Sequence, residues 1–406
     1  MFCRKDYVID MKDKNILKFQ LFYFLLIGAI GCFTPYINVY LENSIHLSGS
    51  QIGLITAISL IIGVCVIPLW GVIGDKTRKY HLLLMISLSA TIVCLYFYSR
   101  QTVYLGVIIS ALLLEISRLG SMPMADTIAM NYVKEKGGNY GSIRGMGSLG
   151  YMLGSMVVGF LADMFGLDGP LFTSYIILLG IALLLCFSFP KISSQEEDQK
   201  PKKGNFKDLI TNKDFLFIVV IIMMTQIVVD SSGQYAGNHL ISTLHGNNSM
   251  ISWLTFVQVL PEFLFLMIAS QLIEKLGYHQ FFLLATITMA FRLFTYAFIP
   301  NAYVFIFVSI VHCLGVACST VASLAYIQDS VNPAVFGTAL TLYNAAMNLG
   351  KAAYGYIFGV VYQYLGSFYI FMFSGIIVVI SILLIIYTKR FKKADQKLKN
   401  MKTRNS

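Results

Sequence analysis

Ten ionisable side chains lie within long apolar stretches of the chain: the acids Glu115, Asp126, Asp230 and Glu262, the bases Arg118, Arg144, Arg292 and Lys351, and the histidines His239 and His312. A charge inside hydrocarbon costs at least ~2.5–3.5 kcal/mol, so each needs a partner or a function. Depth along a helix, at a rise of ~1.5 Å per residue, sorts most of them into pairs. Asp126 and Arg144 both fall roughly 12 Å from the loop bearing Lys134 and Lys136, and so are expected to meet. Asp230 and Lys351 fall at roughly 24 and 27 Å, and Glu262 and Arg292 at roughly 20 Å, near His312 on the next helix. Glu115 and Arg118 are spaced i, i+3 and can pair within one helix. For every pair the plain structural reading is a bridge that lets two charges be inserted together.

Arg144 opens the segment Arg144-Gly145-Met146-Gly147-Ser148-Leu149-Gly150-Tyr151. Tyr151 lies two turns on, on the same helix face, while Gly147 and Gly150 allow close approach to the backbone. A guanidinium with an aromatic plane two turns away suits a polar ring: the donors bind hydroxyls or a carboxylate and the ring stacks on an apolar face. A tyrosine used only for packing is the alternative. Neither a metal nor a cofactor is expected. The seven cysteines lie in different helices without CxxC spacing, only Cys3 falls outside a span, and there is no HExxH, serine elbow or phosphate-binding glycine loop.

The elements that carry these residues follow from composition. Of 406 residues, 57% are hydrophobic and 12% charged, against about 25% charged in an ordinary soluble domain. The mean hydropathy is +0.71. Apolar blocks near 17–40, 50–74, 80–99, 103–131, 140–165, 168–189, 214–241, 250–273, 279–299, 302–328, 335–362 and 367–388 each approach or exceed the ~20 residues that cross a bilayer. This predicts an all-α membrane protein with twelve transmembrane helices in two pseudo-symmetric six-helix halves: an amino-terminal bundle over 1–190, a polar cytoplasmic linker over 191–213, a carboxy-terminal bundle over 214–390 and a basic cytoplasmic tail over 391–406. The run from Ile16 to Tyr40 is too long for a cleaved signal peptide and reads as the first span, and Met11 is a second candidate start before it. Twenty-five of the 30 Lys and Arg fall on one side of a twelve-span chain and only Arg100 on the other, which places both termini in the cytoplasm. The net charge of +10 is therefore a topological signal with an affinity for anionic lipid, not a nucleic-acid surface.

Punctuation recurs between the halves. Gly141, Gly154 and Gly159 are matched by Gly337, Gly350 and Gly355, each 196 positions later, and Asp75-Lys76 with Tyr80-His81 is echoed by Glu274-Lys275 with Tyr278-His279. A duplicated half implies a solute site near the bilayer midplane.

Twelve spans in two halves, the loop Gly71-Val72-Ile73-Gly74-Asp75-Lys76 with Arg78-Lys79, and the Arg144 segment resemble the major facilitator superfamily. The loop lacks the glycine usual after the acidic–basic pair. Within the superfamily the chain resembles the lactose permease group of sugar–proton symporters and the related phenylpropionate permease group over nearly its full length, beginning with Phe22 through Pro35 to Leu41, Gln51-Ile52-Gly53 and Pro68-Leu69-Trp70-Gly71. The resemblance implies substrate-binding roles for Asp126, Arg144, Tyr151 and Glu262, proton-coupling roles for Glu262, Arg292 and His312, a charge pair of Asp230 with Lys351, and a gating loop containing Gly71, Asp75, Lys76 and Arg78. Asp126 stands where that group has Glu, and Tyr151 where it has a stacking tryptophan. Three departures bear on mechanism: Gly315 replaces the proton-bearing glutamate three residues after His312, Ser309 replaces a lysine, and Phe265 replaces an amide that contacts sugar. The stretch around His312-Cys313 is closer to the phenylpropionate group.

The expectation is a proton-coupled symporter that imports a small polar solute, a sugar or glycoside, by alternating access. It is a monomer in a bacterial plasma membrane, with solute, proton and the lipid bilayer as partners, no nucleic acid and no cofactor. The intramembrane carboxylates and the absence of a Walker-type loop favour an ion gradient over ATP, and Glu262 is the candidate proton carrier. An importer of an aromatic carboxylate and a drug exporter of the same fold are the alternatives within the class, and a membrane-embedded enzyme or sensor the alternative outside it.

Overall fold

The computed structural model describes residues 13–190, 209, 211–331, 335–388, 390, 391 and 395. Most of the expected linker and tail lies outside the described residues. The described chain is helical, with no strand among those residues. Eleven stretches of described helix are long and apolar enough to cross a membrane. The helix Phe336–Leu365, the expected eleventh span, has the length at 30 residues but is not among them, because its Thr, Asn, Gly and Tyr residues and Lys351 dilute the apolar run. The eighth and ninth spans together occupy Asn248–Phe298 and are separated by Gly277, whose φ of 80° breaks the helix.

Four spans are interrupted, at corresponding places in the two halves. The first span runs Lys14–Phe33 and Ile37–Asn43, broken at Pro35, which has no N–H to continue the ladder. The fourth runs Tyr104–Arg118 and Ser121–Lys136, with Gly120 in the gap and Pro123 just beyond. The seventh breaks at Thr225 (φ −116°, ψ −90°) and ends in a wide π turn, His239–Thr243. The tenth passes through a 3-10 turn, Ser309–Val311, and a π turn, Cys313–Ala317, with His312 at the junction. Broken helices expose backbone groups inside a membrane protein, which is tolerated where they line a cavity or meet side-chain partners.

The chain divides into two compact units, one of residues 1–47, 58–198 and 246–256, the other of 48–57, 199–245 and 257–406. In the first, spans one and five (Tyr140–Phe165) touch backbone to backbone. A Cβ on Gly154 would stand 2.2 Å from the Gly28 oxygen and one on Gly150 2.1 Å from that of Phe24, so these glycines are required by packing. The Tyr36 hydroxyl donates to the Ser155 carbonyl at 2.8 Å and meets the Ser252 hydroxyl at 2.7 Å. Asp163 accepts the backbone N–H groups of Asn248 and Ser249 at 2.7 and 3.1 Å.

The second unit repeats this device with different residues. The Tyr235 hydroxyl donates to the Gly355 carbonyl at 3.0 Å, a Cβ on Gly359 would stand 2.4 Å from the Gly49 oxygen, and Gln363 accepts the Ser50 N–H at 3.2 Å. The environment of Gly159 therefore recurs at Gly359 rather than at Gly355, whose added Cβ would have ordinary clearance. Phe391, expected at the start of the basic tail, is fully buried. It stacks on Phe282 with centroids 4.4 Å apart and packs against Tyr326 and Phe217. Arg390 bonds the Asp214 carboxylate at 2.8 Å, and Asp395 accepts the N–H groups of Tyr278 and His279 at 2.6 and 3.1 Å.

Candidate functional site

Each unit holds its own cluster of intramembrane charge. In the first, Asp126 lies on the second segment of span four and Arg144 on the first turns of span five, and they do not touch. The Asp126 Oδ1 accepts two phenols, Tyr23 at 2.5 Å and Tyr140 at 2.7 Å, while the Arg144 guanidinium lies over the Tyr23 ring, 5.9 Å from its centroid. The expected direct contact is replaced by a tyrosine wedge: Tyr23 is fully buried and satisfies the acid with its edge and the base with its face. Two donors on one oxygen hold the carboxylate without cancelling its charge, so Asp126 keeps acceptor capacity and Arg144 keeps donors. Arg144 itself is exposed and Asp126 half-buried.

Tyr151 is half-buried on the same helix, and its backbone, not its ring, limits the neighbouring span, since a Cβ on Gly31 would stand 2.1 Å from the Tyr151 oxygen. Glu115 and Arg118 pair within span four at 2.7 Å.

In the second unit, Lys351 and Asp230 form an ion pair at 2.7 Å, joining spans seven and eleven. Glu262, His312 and Arg292 form a chain. The Glu262 Oε2 is 3.7 Å from His312 Nε2, and the other ring nitrogen, Nδ1, is in close contact with Arg292 Nη1. A guanidinium is donor only, so a hydrogen bond between them requires the tautomer in which Nδ1 accepts and Nε2, on the side of Glu262, carries the proton.

The three departures have structural causes. A Cβ on Gly315 would stand 2.8 Å from Met289 Cγ, so any side chain at this position in the π turn requires Met289 to move. Ser309 is buried, bonded to the Tyr296 hydroxyl and donating to the Phe305 carbonyl at 2.9 Å. Phe265 packs against the apolar core of the unit. In the expected gating loop, Asp75 accepts the Tyr80 hydroxyl at 2.8 Å, Arg78 takes φ 53° with its N–H on the Gly74 carbonyl at 2.7 Å, Lys76 is exposed, and the face of Gly71 is open. No group of three or more metal-ligating side chains occurs among the described residues.

Tyr23 and Tyr140 escaped the sequence reading. Tyr140 carries a signal, standing four residues before Arg144 on one helix face. Tyr23 carries none, because it reaches Asp126 from a helix 103 positions away.

Residues 16–373 match the family model described as the MFS_1 like family. The chain is 28% identical over 381 residues to the maltose permease of Geobacillus stearothermophilus, covering 93% of this chain and 96% of that protein. It is equally 28% identical to the uncharacterized transporter YwbF of Bacillus subtilis, covering 92% and 93%. The multidrug resistance protein MdtG of Escherichia coli is 24% identical over 68% of each chain. Among solved structures, the nucleoside transporter NupG superposes with a TM-score of 0.83 at 15% identity, over 93% of this chain and all of that one.

Proposed function

The chain belongs to the MFS_1-like family of major facilitator transporters, a multi-pass membrane transporter and not an enzyme, and from that premise we propose that it imports a neutral hydroxylated solute, a sugar or glycoside, by proton-coupled alternating access. The observation that carries this reading is the Tyr23 wedge. It leaves Asp126 with a free acceptor and Arg144 with free donors, and a hydroxyl group is the ligand that can satisfy both. A carboxylate would gain from Arg144 but be repelled by Asp126. The charges of the cluster, Glu115, Arg118, Asp126 and Arg144, also sum to zero, which suits an uncharged cargo. The relative named a maltose permease supports the same class.

Glu262 is the proton carrier in this reading, and the approach of His312 Nε2 to its carboxylate at 3.7 Å supports that role. Proton release changes the charge presented to His312 and Arg292 and so biases the unit between states. The Asp230–Lys351 pair holds spans seven and eleven together. The one-sided distribution of Lys and Arg supports a plasma-membrane protein with both termini in the cytoplasm. A second reading, import of an aromatic carboxylate, draws on the absence of an ion pair to Arg144 among the described residues.

The test is uptake by the purified chain in proteoliposomes under an imposed pH gradient, with labelled maltose, a nucleoside and an aromatic acid. Saturable accumulation of a neutral solute that collapses with protonophore is expected. Arg144→Ala and Asp126→Asn each abolish binding while leaving the protein folded. Uptake of the aromatic acid alone, or retained affinity in either variant, overturns the assignment.

A further inference from the structure

A half-enclosed cavity of about 210 Å³ lies inside the amino-terminal unit, walled by spans one, two, three, four and six at the break in span four. The break is built from side chains rather than left open. A Cβ on Gly120 would stand 2.4 Å from the Trp70 ring, so the glycine admits the indole, whose N–H donates to the Ile116 carbonyl at 2.9 Å. Ser87 donates to the Ser117 carbonyl and Ser121 to that of Arg118, both at 2.6 Å. Three carbonyls released by the interruption are thus satisfied, and the gap is held at a fixed width.

Arg118 and Asp126 both line this cavity, together with the buried Thr91 and apolar walls that include Leu88 and Met122. Arg118 commits one nitrogen to Glu115 and keeps further donors. Asp126 commits one oxygen to the two phenols. The Thr91 hydroxyl donates to the Ser87 carbonyl at 2.7 Å and lies 3.3 Å from the Ser117 hydroxyl, and as a donor in both contacts its oxygen keeps lone pairs. A slot with apolar walls, a few fixed polar groups and charges on its surface has the character of a ligand pocket and does not stay dry. Discontinuous transmembrane helices are also where transporters place their sites.

We propose that this cavity is a solute subsite that takes one hydroxylated ring, with Arg118 and Thr91 contacting one side of the ring and Asp126 another. The assignment rests on the reading of the cargo as a neutral hydroxylated solute. Asp126 is then shared between the Tyr23 wedge and the pocket, and Arg118 becomes a binding residue rather than half of a structural bridge. The charges that line the pocket, Arg118 and Asp126, sum to zero, which suits an uncharged ring.

Equilibrium binding of labelled maltose and of uridine to the full chain in detergent tests the subsite. Leu88→Trp fills the slot without touching a charge, Thr91→Val removes the hydroxyl at constant shape, Thr91→Ser restores it, and Leu113→Trp alters an exposed position on span four. Leu88→Trp is expected to raise Kd at least about tenfold and Thr91→Val about three- to tenfold, with Thr91→Ser and Leu113→Trp near wild type. A cysteine placed by Met122→Cys is expected to be protected from maleimide by bound solute, read at that residue by mass spectrometry. If Leu88→Trp does not fold, Thr91→Val and the protection assay decide. Wild-type Kd in the variants with no protection overturns the subsite while leaving the proposed transport intact. Failure of the wild-type chain to bind either probe overturns both.

Discussion

Tyr23 donates its hydroxyl to the Asp126 carboxylate at 2.5 Å from a helix that is remote in sequence, and the face of the same ring receives Arg144. One buried phenol therefore sets both the separation and the residual hydrogen-bonding capacity of the acid and base proposed to bind solute in the first unit.

Removing only the Tyr23 hydroxyl, with Tyr23→Phe, keeps the ring beneath Arg144 and releases the acid. Loss of a hydrogen bond to a charged group costs about 1.5–3 kcal/mol, so solute affinity is expected to fall about tenfold or more, with Tyr23→Leu lower still. Direct binding measurements on the two variants check this, and wild-type affinity in Tyr23→Phe would show that the wedge does not position Asp126.

Glu262→Gln keeps the shape of the side chain but cannot release a proton. A one-unit pH gradient sustains about tenfold accumulation per coupled proton. The variant is expected to lose that accumulation while still exchanging internal for external solute down its gradient. Proteoliposome uptake and exchange on the same preparation separate the two, and undiminished accumulation would remove Glu262 from the coupling path.

Lys351→Met strands Asp230 in a partly buried site, and Asp230→Leu strands Lys351. Each single change is expected to destabilise the solubilised protein by up to about 3–5 kcal/mol, and the double variant by less than either. Thermal unfolding of the three variants gives the coupling directly. Additive losses would mean that the 2.7 Å pair contributes nothing as a pair.

Phe391 occupies an aromatic box of Phe217, Phe282 and Tyr326. Phe391→Ala is expected to cost about 3 kcal/mol and to lower the melting temperature, although the position follows the last span. An unchanged melting temperature would place Phe391 outside the cooperative core.

Asp13 caps the first span, accepting the Asn15 N–H at 2.8 Å and the Tyr132 hydroxyl at 2.6 Å. These bonds, the Tyr132 hydroxyl foremost, hold its carboxyl below the usual carboxylate range. A depressed folded value means that the stabilisation is complete above the unfolded pKa of about 3.9 and is lost as pH falls through the folded one. Asp13→Ala is expected to cost about 1 kcal/mol at neutral pH, with the gap to wild type closing in acid below about pH 3.9. A pH-independent difference in unfolding would refute the carboxylate as its source.

Much of this architecture was legible before any coordinate. Apolar runs long enough to cross hydrocarbon, the one-sided Lys and Arg and the few charges left inside the spans are local features, and a local cost such as burying a charge in lipid is readable residue by residue. The Asp230–Lys351 pair and the neighbourhood of Glu262, Arg292 and His312 followed from depth alone. Depth was insufficient for Asp126 and Arg144, which share a level but are kept apart by a third helix.

The sequence by itself determined a multi-spanning helical transporter with its ionisable residues sorted by depth, because span length and insertion cost depend only on neighbours along the chain. The tertiary structure alone decided which face of each helix meets which. It placed Tyr23 between acid and base, set Arg292 and Glu262 beside opposite ring nitrogens of His312, packed Gly315 against Met289, drew Phe391 into the core and opened a pocket at the break in span four. Those outcomes depend on how helices rotate and approach one another, and the packing that sets them is summed over residues far apart in the chain.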